Sequence, residues 1–126
     1  MTLSPGAIRH TVSFRLKHPE GSDAETQFLK AAEALGSIPG VEILPFAEQE
    51  ICCGSAGIYN LVEPDAAREL GDRKAGHIDA VSPDVVATAN PGCMLQMATA
   101  SARLGRSRPI CHPIEILDAS IRGVDL

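Results

Sequence analysis

Residues 10–17, HTVSFRLK, alternate apolar and polar side chains, with Val12, Phe14 and Leu16 on one face and Thr11, Ser13, Arg15 and Lys17 on the other. A period of two predicts a strand with one buried face. The loop HPEGS leads to Ser22, with Glu25 three residues on. That spacing is a capping box, in which hydroxyl and carboxylate each satisfy a backbone N–H that an opening helix leaves free. Phe28, Ala31, Ala32, Leu35 and Ile38 then recur at helical spacing until Pro39-Gly40 ends the run. VEILPF (41–46) reads as a second strand, and a loop follows from about Gln49 to Asn60. Pro64 suits the first turn of a helix over roughly 64–80, with Ala67, Leu70, Ile78 and Val81 inward and a Glu69–Arg73 pair outside. DVVAT (84–88) is a short apolar strand, and NPG introduces a helix near 92–104 carrying Leu95, Ala98 and Ala102. RPIC (108–111) is a fourth strand. Pro113 opens a last helix through about Ile121, with Ile114, Leu117 and Ile121 on one stripe.

The order βαβαβαβα predicts a single α/β domain over residues 1–126: a mainly parallel four-stranded sheet with helices on both faces. The first strand fits least well. A central parallel strand is apolar on both faces, so its polar alternation predicts an edge strand or one with an antiparallel partner. An uncovered edge of that kind also offers a route to a homodimer.

Composition narrows the function. The chain has 126 residues, enough for one core, and an aromatic content of 3% with no Trp, so that core is aliphatic. A net charge of −5 carries no basic footprint and argues against nucleic acid. No apolar run reaches the ~18 residues of a membrane span. The N-terminus lacks a signal-peptide pattern, which predicts a cytoplasmic protein with reduced thiols.

The four cysteines carry the chemistry. Cys52 and Cys53 follow strand two, Cys93 follows strand three, and Cys111-His112 end strand four. A parallel sheet gathers all of these at its carboxyl edge, where open α/β sheets bind ligands. Thiolates are the preferred donors for iron–sulfur clusters and for zinc. Gly54 and the small residues after it, GSAG, offer backbone N–H groups that stabilise thiolate or sulfide. Read simply as small apolar side chains, the same cysteines would fill the core. His18, at the end of strand one, and His112 are candidate further ligands; His10 and His77 read as packing or solvated residues. Ser55 has no evident base partner, so GSAG is not a nucleophile elbow.

Residues 45–126 resemble the cysteine-rich (CCG) domain found in the glycolate oxidase iron–sulfur subunit and in heterodisulfide reductase. The resemblance rests on EICCGSAGIYNL, EPDAARELGDRKAGHIDAVSPDVVATANPGCMLQ and HPIEILD. It implies a Rossmann- or flavodoxin-like three-layer unit with Cys52, Cys53 and Cys93 as ligands of an iron–sulfur centre, and a flavin-containing oxidoreductase subunit as partner. The family places another cysteine where this chain has Arg15-Leu16-Lys17-His18, and Gln96 stands where some relatives continue as CxxC. Residues 8–42 resemble instead the opening strand–helix unit of the Dabb family of α+β barrels, which implies a chimera. The expectation is a domain of, or derived from, an electron-transfer subunit of a 2-hydroxy-acid oxidoreductase, incomplete and inactive alone. The alternatives are a recombined scaffold without catalysis or cofactor, and a zinc site built from Cys53, Cys93 and two of Cys52, Cys111, His112 and His18.

Overall fold

The computed structural model describes residues 8–12 and 33–126. Its strands are β1 (Ile8–Val12), β2 (Val41–Ile43), β3 (Val85–Ala87) and β4 (Ile110–Cys111). Its helices are α1 (33–36), α2 (Tyr59–Val62), α3 (Pro64–Ala80), α4 (Pro91–Arg103) and α5 (Pro113–Arg122). The strands form a small parallel sheet in the order β2-β1-β3-β4. Ile8 lies opposite Val41, Val12 opposite Ala87, and Ala87 opposite Cys111.

Sequence explains where the helices begin. Asn90 caps α4, its Oδ1 accepting the N–H groups of Gly92 and Cys93, and Pro91 occupies the first turn, where no N–H is needed. His112 caps α5 in the same way through Nδ1, while the Glu115 carboxylate accepts the His112 N–H. At its far end α5 stops on Gly123 in the left-handed conformation, φ 64°.

Buried Val85, Val86 and Ala87 make β3 apolar on both faces, as an inner parallel strand requires. Val86 joins Phe46, Cys53, Ala75, Ile78, Met97 and Ala100 in one core cluster, and Ala87 joins Leu35, Ile38 and Ile116 in another. Successive strand residues point to opposite faces, so these two clusters lie on opposite sides of the sheet. Helices α3 and α4 cover the first and α1 and α5 the second. Burying a side chain such as Ile78 or Met97 stabilises the fold by about 1.5–3 kcal/mol.

Several expectations are corrected. β1 lies between β2 and β3 and runs parallel to both, so it is neither an edge strand nor antiparallel. The described strand, Ile8–Val12, starts before the expected range and overlaps its beginning; Ser13, Phe14, Arg15, Leu16 and Lys17, which supplied most of the alternation, lie outside the described residues, as does the capping box at Ser22. The inward stripe of α4 contains Met97 and Ala100, whereas Leu95, Ala98 and Ala102 are exposed. Along α5 Ile116 and Ala119 are buried, whereas Ile114, Leu117 and Ile121 face outward. Each helix carries two apolar stripes, and periodicity alone does not say which one meets the sheet. Arg73 pairs with Glu48 rather than Glu69, because the turn before the cysteines lies alongside α3.

Candidate functional site: a clamped cysteine loop

Cys52 and Cys53 occupy a loop held against α3 over two of its turns. Gly54 sits at φ 89°, and a Cβ there would lie 2.4 Å from the Ala67 carbonyl oxygen, so only glycine permits the approach. One turn along, Gly71 leaves room for the Cys53 carbonyl, 3.4 Å from where its Cβ would be. Next, the Lys74 ammonium donates to the carbonyls of Gln49 at 2.8 Å and Ile51 at 2.5 Å. Lys74 is 6% exposed and its Nζ stands 5.6 Å from the centre of the Phe46 ring. Burial pulls this ammonium below the ordinary lysine value, while Cys53, Cys93 and Cys52 pull the other way.

Outside the loop, Glu48 adopts φ 54° and makes a two-pronged ion pair with Arg73. Its Oε2 also lies 2.9 Å from His77 Nε2, so His77 is a loop contact rather than merely solvated. The Arg73 hydrogen bonds hold the Glu48 carboxyl below its usual range, against the opposing effect of desolvation and with His77 adding to the lowering.

This clamp brings two thiols from separate elements together. The Cys53 thiol donates to Cys93 Sγ at 3.2 Å. Ser55 Oγ lies 3.1 Å from Cys53 Sγ and donates to Cys93 Sγ at 3.6 Å. Cys53 is buried in the core cluster and Cys93, half-buried, packs against it. Burial, and then the Cys53 hydrogen bond, push the Cys93 thiol up to about 11 despite its place in the first turn of α4. Cys52 is half-buried, and its sulfur accepts the Gly54 N–H at 3.4 Å. Gln96 Nε2 donates to the Ala67 carbonyl at 2.9 Å, bracing α4 against α3 one turn after Cys93.

The other predicted ligands stand elsewhere. Cys111 packs with the second cluster, across the sheet from Cys53, and burial followed by the Glu115 charge raises its thiol to about 11. His112 spends its Nδ1 on the N-cap of α5. His18 lies outside the described residues. Sequence reasoning missed Lys74, although its position was legible: it is the one charged residue on the buried stripe Ala67, Gly71, Ala75 and Ile78 of α3. It also missed the Glu48 contacts, which join residues 25 and 29 positions apart and leave no local pattern.

The donor chemistry suits a soft metal centre, since two sulfurs converge and a third occupies the same loop. The set is partial: among the described residues no group of three His, Cys, Asp or Glu side chains converges to hold a metal ion. Among the same residues, no helix is long and apolar enough to cross a membrane.

Fold and site together define a cysteine-rich α/β domain in which two thiols, Cys53 and Cys93, meet beside a small parallel sheet. The family model described as CCG, a cysteine-rich domain, matches residues 18–98, more than half of the chain. The chain belongs to that family. It is 40% identical over 79 residues to the probable glycolate oxidase iron–sulfur subunit of Bacillus subtilis (strain 168), covering 63% of this chain and 18% of that protein. Against the glycolate oxidase iron–sulfur subunit of Escherichia coli (strain K12) it is 37% identical over 82 residues, covering 65% of this chain and 19% of the relative. Lactate utilization protein A of Shouchella clausii (strain KSM-K16) is 28% identical over 98 residues, with coverages of 75% and 41%. The match therefore spans about a fifth of the length of the two glycolate oxidase subunits and about two-fifths of the third relative.

These matches do not support the expectation of a chimera. The family match begins at residue 18, inside the segment likened to a Dabb unit, and the parallel pairing of β1 fits the same α/β unit. The Dabb resemblance is not supported.

Proposed function

We propose that this chain is the cysteine-rich domain of an iron–sulfur electron-transfer subunit that serves a 2-hydroxy-acid oxidoreductase, working with a flavin-containing partner and not catalytic alone. The supporting observation is the Cys53–Cys93 pair, held 3.2 Å apart at the sheet edge, in a chain homologous to iron–sulfur subunits. The strand order and the helices on both faces support a doubly wound, Rossmann-like reading of the fold.

An iron–sulfur centre supplies one-electron transfer when bound. Within this chain Cys53 and Cys93 would hold it, with Cys52 a third thiolate from the same loop. Lys74 fixes the loop carbonyls and brings a positive charge within electrostatic reach of the cysteines. Ser55 offers a hydroxyl to both inner sulfurs. The partial donor set supports a domain completed by the protein or partner that contributes the remaining ligands.

Anaerobic reconstitution with iron and sulfide, in a buffer holding a small-molecule thiol to fill the coordination positions this chain leaves open, tests the reading. Iron and acid-labile sulfide should stay with the chain through gel filtration and be lost in Cys53→Ser and Cys93→Ser. A wild-type chain that retains neither refutes it, and one equivalent of zinc in place of iron would transfer the site to a zinc assignment.

A further inference from the structure

Cys53 and Cys93 stand 40 residues apart in sequence, yet the fold brings their sulfurs to 3.2 Å. Two clamps set this approach. Gly54 and Lys74 dock the loop on α3, while Asn90 fixes the first turn of α4. Two sulfurs so placed need only about 1 Å of movement to reach a covalent S–S bond, for which the ordinary length is about 2.05 Å. The other thiols are committed elsewhere. Cys52 turns its sulfur to the Gly54 N–H, and Cys111 packs in the cluster on the opposite face of the sheet.

We propose that Cys53 and Cys93 form a thiol–disulfide site, closing to an intramolecular disulfide when the metal-free chain meets a small-molecule disulfide such as oxidised glutathione. Cys93, the more exposed of the two, reacts first. Its sulfur loses a proton to water and attacks one sulfur of the glutathione disulfide; that S–S bond breaks, and a glutathione thiolate leaves. Cys53 Sγ then attacks the Cys93 sulfur of the mixed disulfide and its proton passes to the departing second glutathione. Two protein thiols are oxidised, and one glutathione disulfide is reduced to two glutathione thiols. The second step is intramolecular and fast because the partner sulfur is already in place.

The consequence is a site with two exclusive states. Sulfurs joined to each other are not available as thiolate donors, so oxidation would close the loop to metal and reduction would reopen it. This inference concerns the metal-free chain and does not depend on which metal the proposed function requires.

The test uses the full chain, stripped of metal by chelator and equilibrated anaerobically in glutathione redox buffers. Free thiols are then trapped by alkylation and the chain is digested for peptide mass mapping. The expected product is a chain that has lost two of its four free thiols, carries a peptide joining Cys53 to Cys93, and regains both thiols with dithiothreitol. Cys52→Ser and Cys111→Ser should give the same link, and Cys93→Ser should not. A wild-type chain that keeps all four thiols, ends as a stable mixed disulfide, or links Cys52 to either neighbour overturns the proposal. A link that forms in a chain unable to retain iron would refute the iron–sulfur reading alone. Retained iron with no link would refute the disulfide alone.

Discussion

Three glycines allow the clamping of the cysteine loop to be measured. Gly54 combines φ 89° with a Cβ position 2.4 Å from the Ala67 carbonyl oxygen and 2.9 Å from its Cα. Gly57 has a positive φ of 56° but nothing within 4 Å, and Gly76, in α3, has open space and ordinary helical backbone. Gly76→Ala should therefore stabilise the domain by about 0.5–1 kcal/mol through backbone entropy. Gly57→Ala should cost about 1–2 kcal/mol, the penalty of a left-handed alanine. Gly54→Ala carries the same penalty and must also push the loop off a helix backbone that has no room to give, an overpacking cost of about 1–3 kcal/mol. Its total of about 2–5 kcal/mol is a large fraction of the ~5–15 kcal/mol of a small domain. Urea unfolding of the metal-free, reduced chain reads all three, with an unchanged m-value as the check that only the native state is affected. If Gly54→Ala costs no more than Gly57→Ala, the loop does not rest on Ala67 and the placement of Cys53 loses its foundation.

Lys74→Met keeps the length of the side chain but leaves the Gln49 and Ile51 carbonyls without their donor. A loss of about 1–3 kcal/mol is expected in the same denaturation assay; an unchanged midpoint would mean that water replaces the ammonium freely. Because the Glu48 carboxyl is held below its ordinary value of 4.5 in the folded chain, its contribution is fully present above that pH and is lost as pH falls through the lower folded value. Glu48→Gln should therefore be less stable than wild type near neutrality and converge with it in acid, and a gap that is constant with pH would count against the Arg73 pairing. Ile116→Ala should cost about 2–4 kcal/mol at a residue 3% exposed, while Ile121→Ala, at 76%, should stay within about 0.5 kcal/mol. The reverse order would restore the stripe that periodicity suggested.

How far the sequence was legible follows from which signals are local. Proline and its preceding residue mark helix starts through φ and the missing N–H, so the expected range 64–80 coincides with α3 and the starts of α4 and α5 lie within a residue. The choice between two apolar stripes depends on what lies across the interface, and in both α4 and α5 the expected stripe faces outward. For the site, CCG and NPGC named the thiols that meet, because parallel strands carry both segments to one edge. Cys111 obeys the same topological rule and still ends on the other face, since alternation along β4 decides the side and topology decides only the edge. Lys74 could have been read from α3 as a charge on a buried stripe. Glu48 with Arg73 and His77 could not, because nothing at those positions signals the fold that joins them.

The double cysteine is best understood as two residues with opposite duties. Cys53 turns into the core and meets Cys93, where Ser55 contacts both sulfurs. Cys52 stays half-buried and is held by the N–H of Gly54 within its own loop. A single thiol therefore faces each side, and the adjacent pair does not grip one ion by itself. The inner pair is set by contacts wholly within this chain. The outer thiol has no second sulfur contact among the described residues, and just beyond it Ile58, Leu61 and Val62 are exposed. That division accounts for a domain that keeps a specific cysteine signature yet, among the described residues, assembles only part of a donor set.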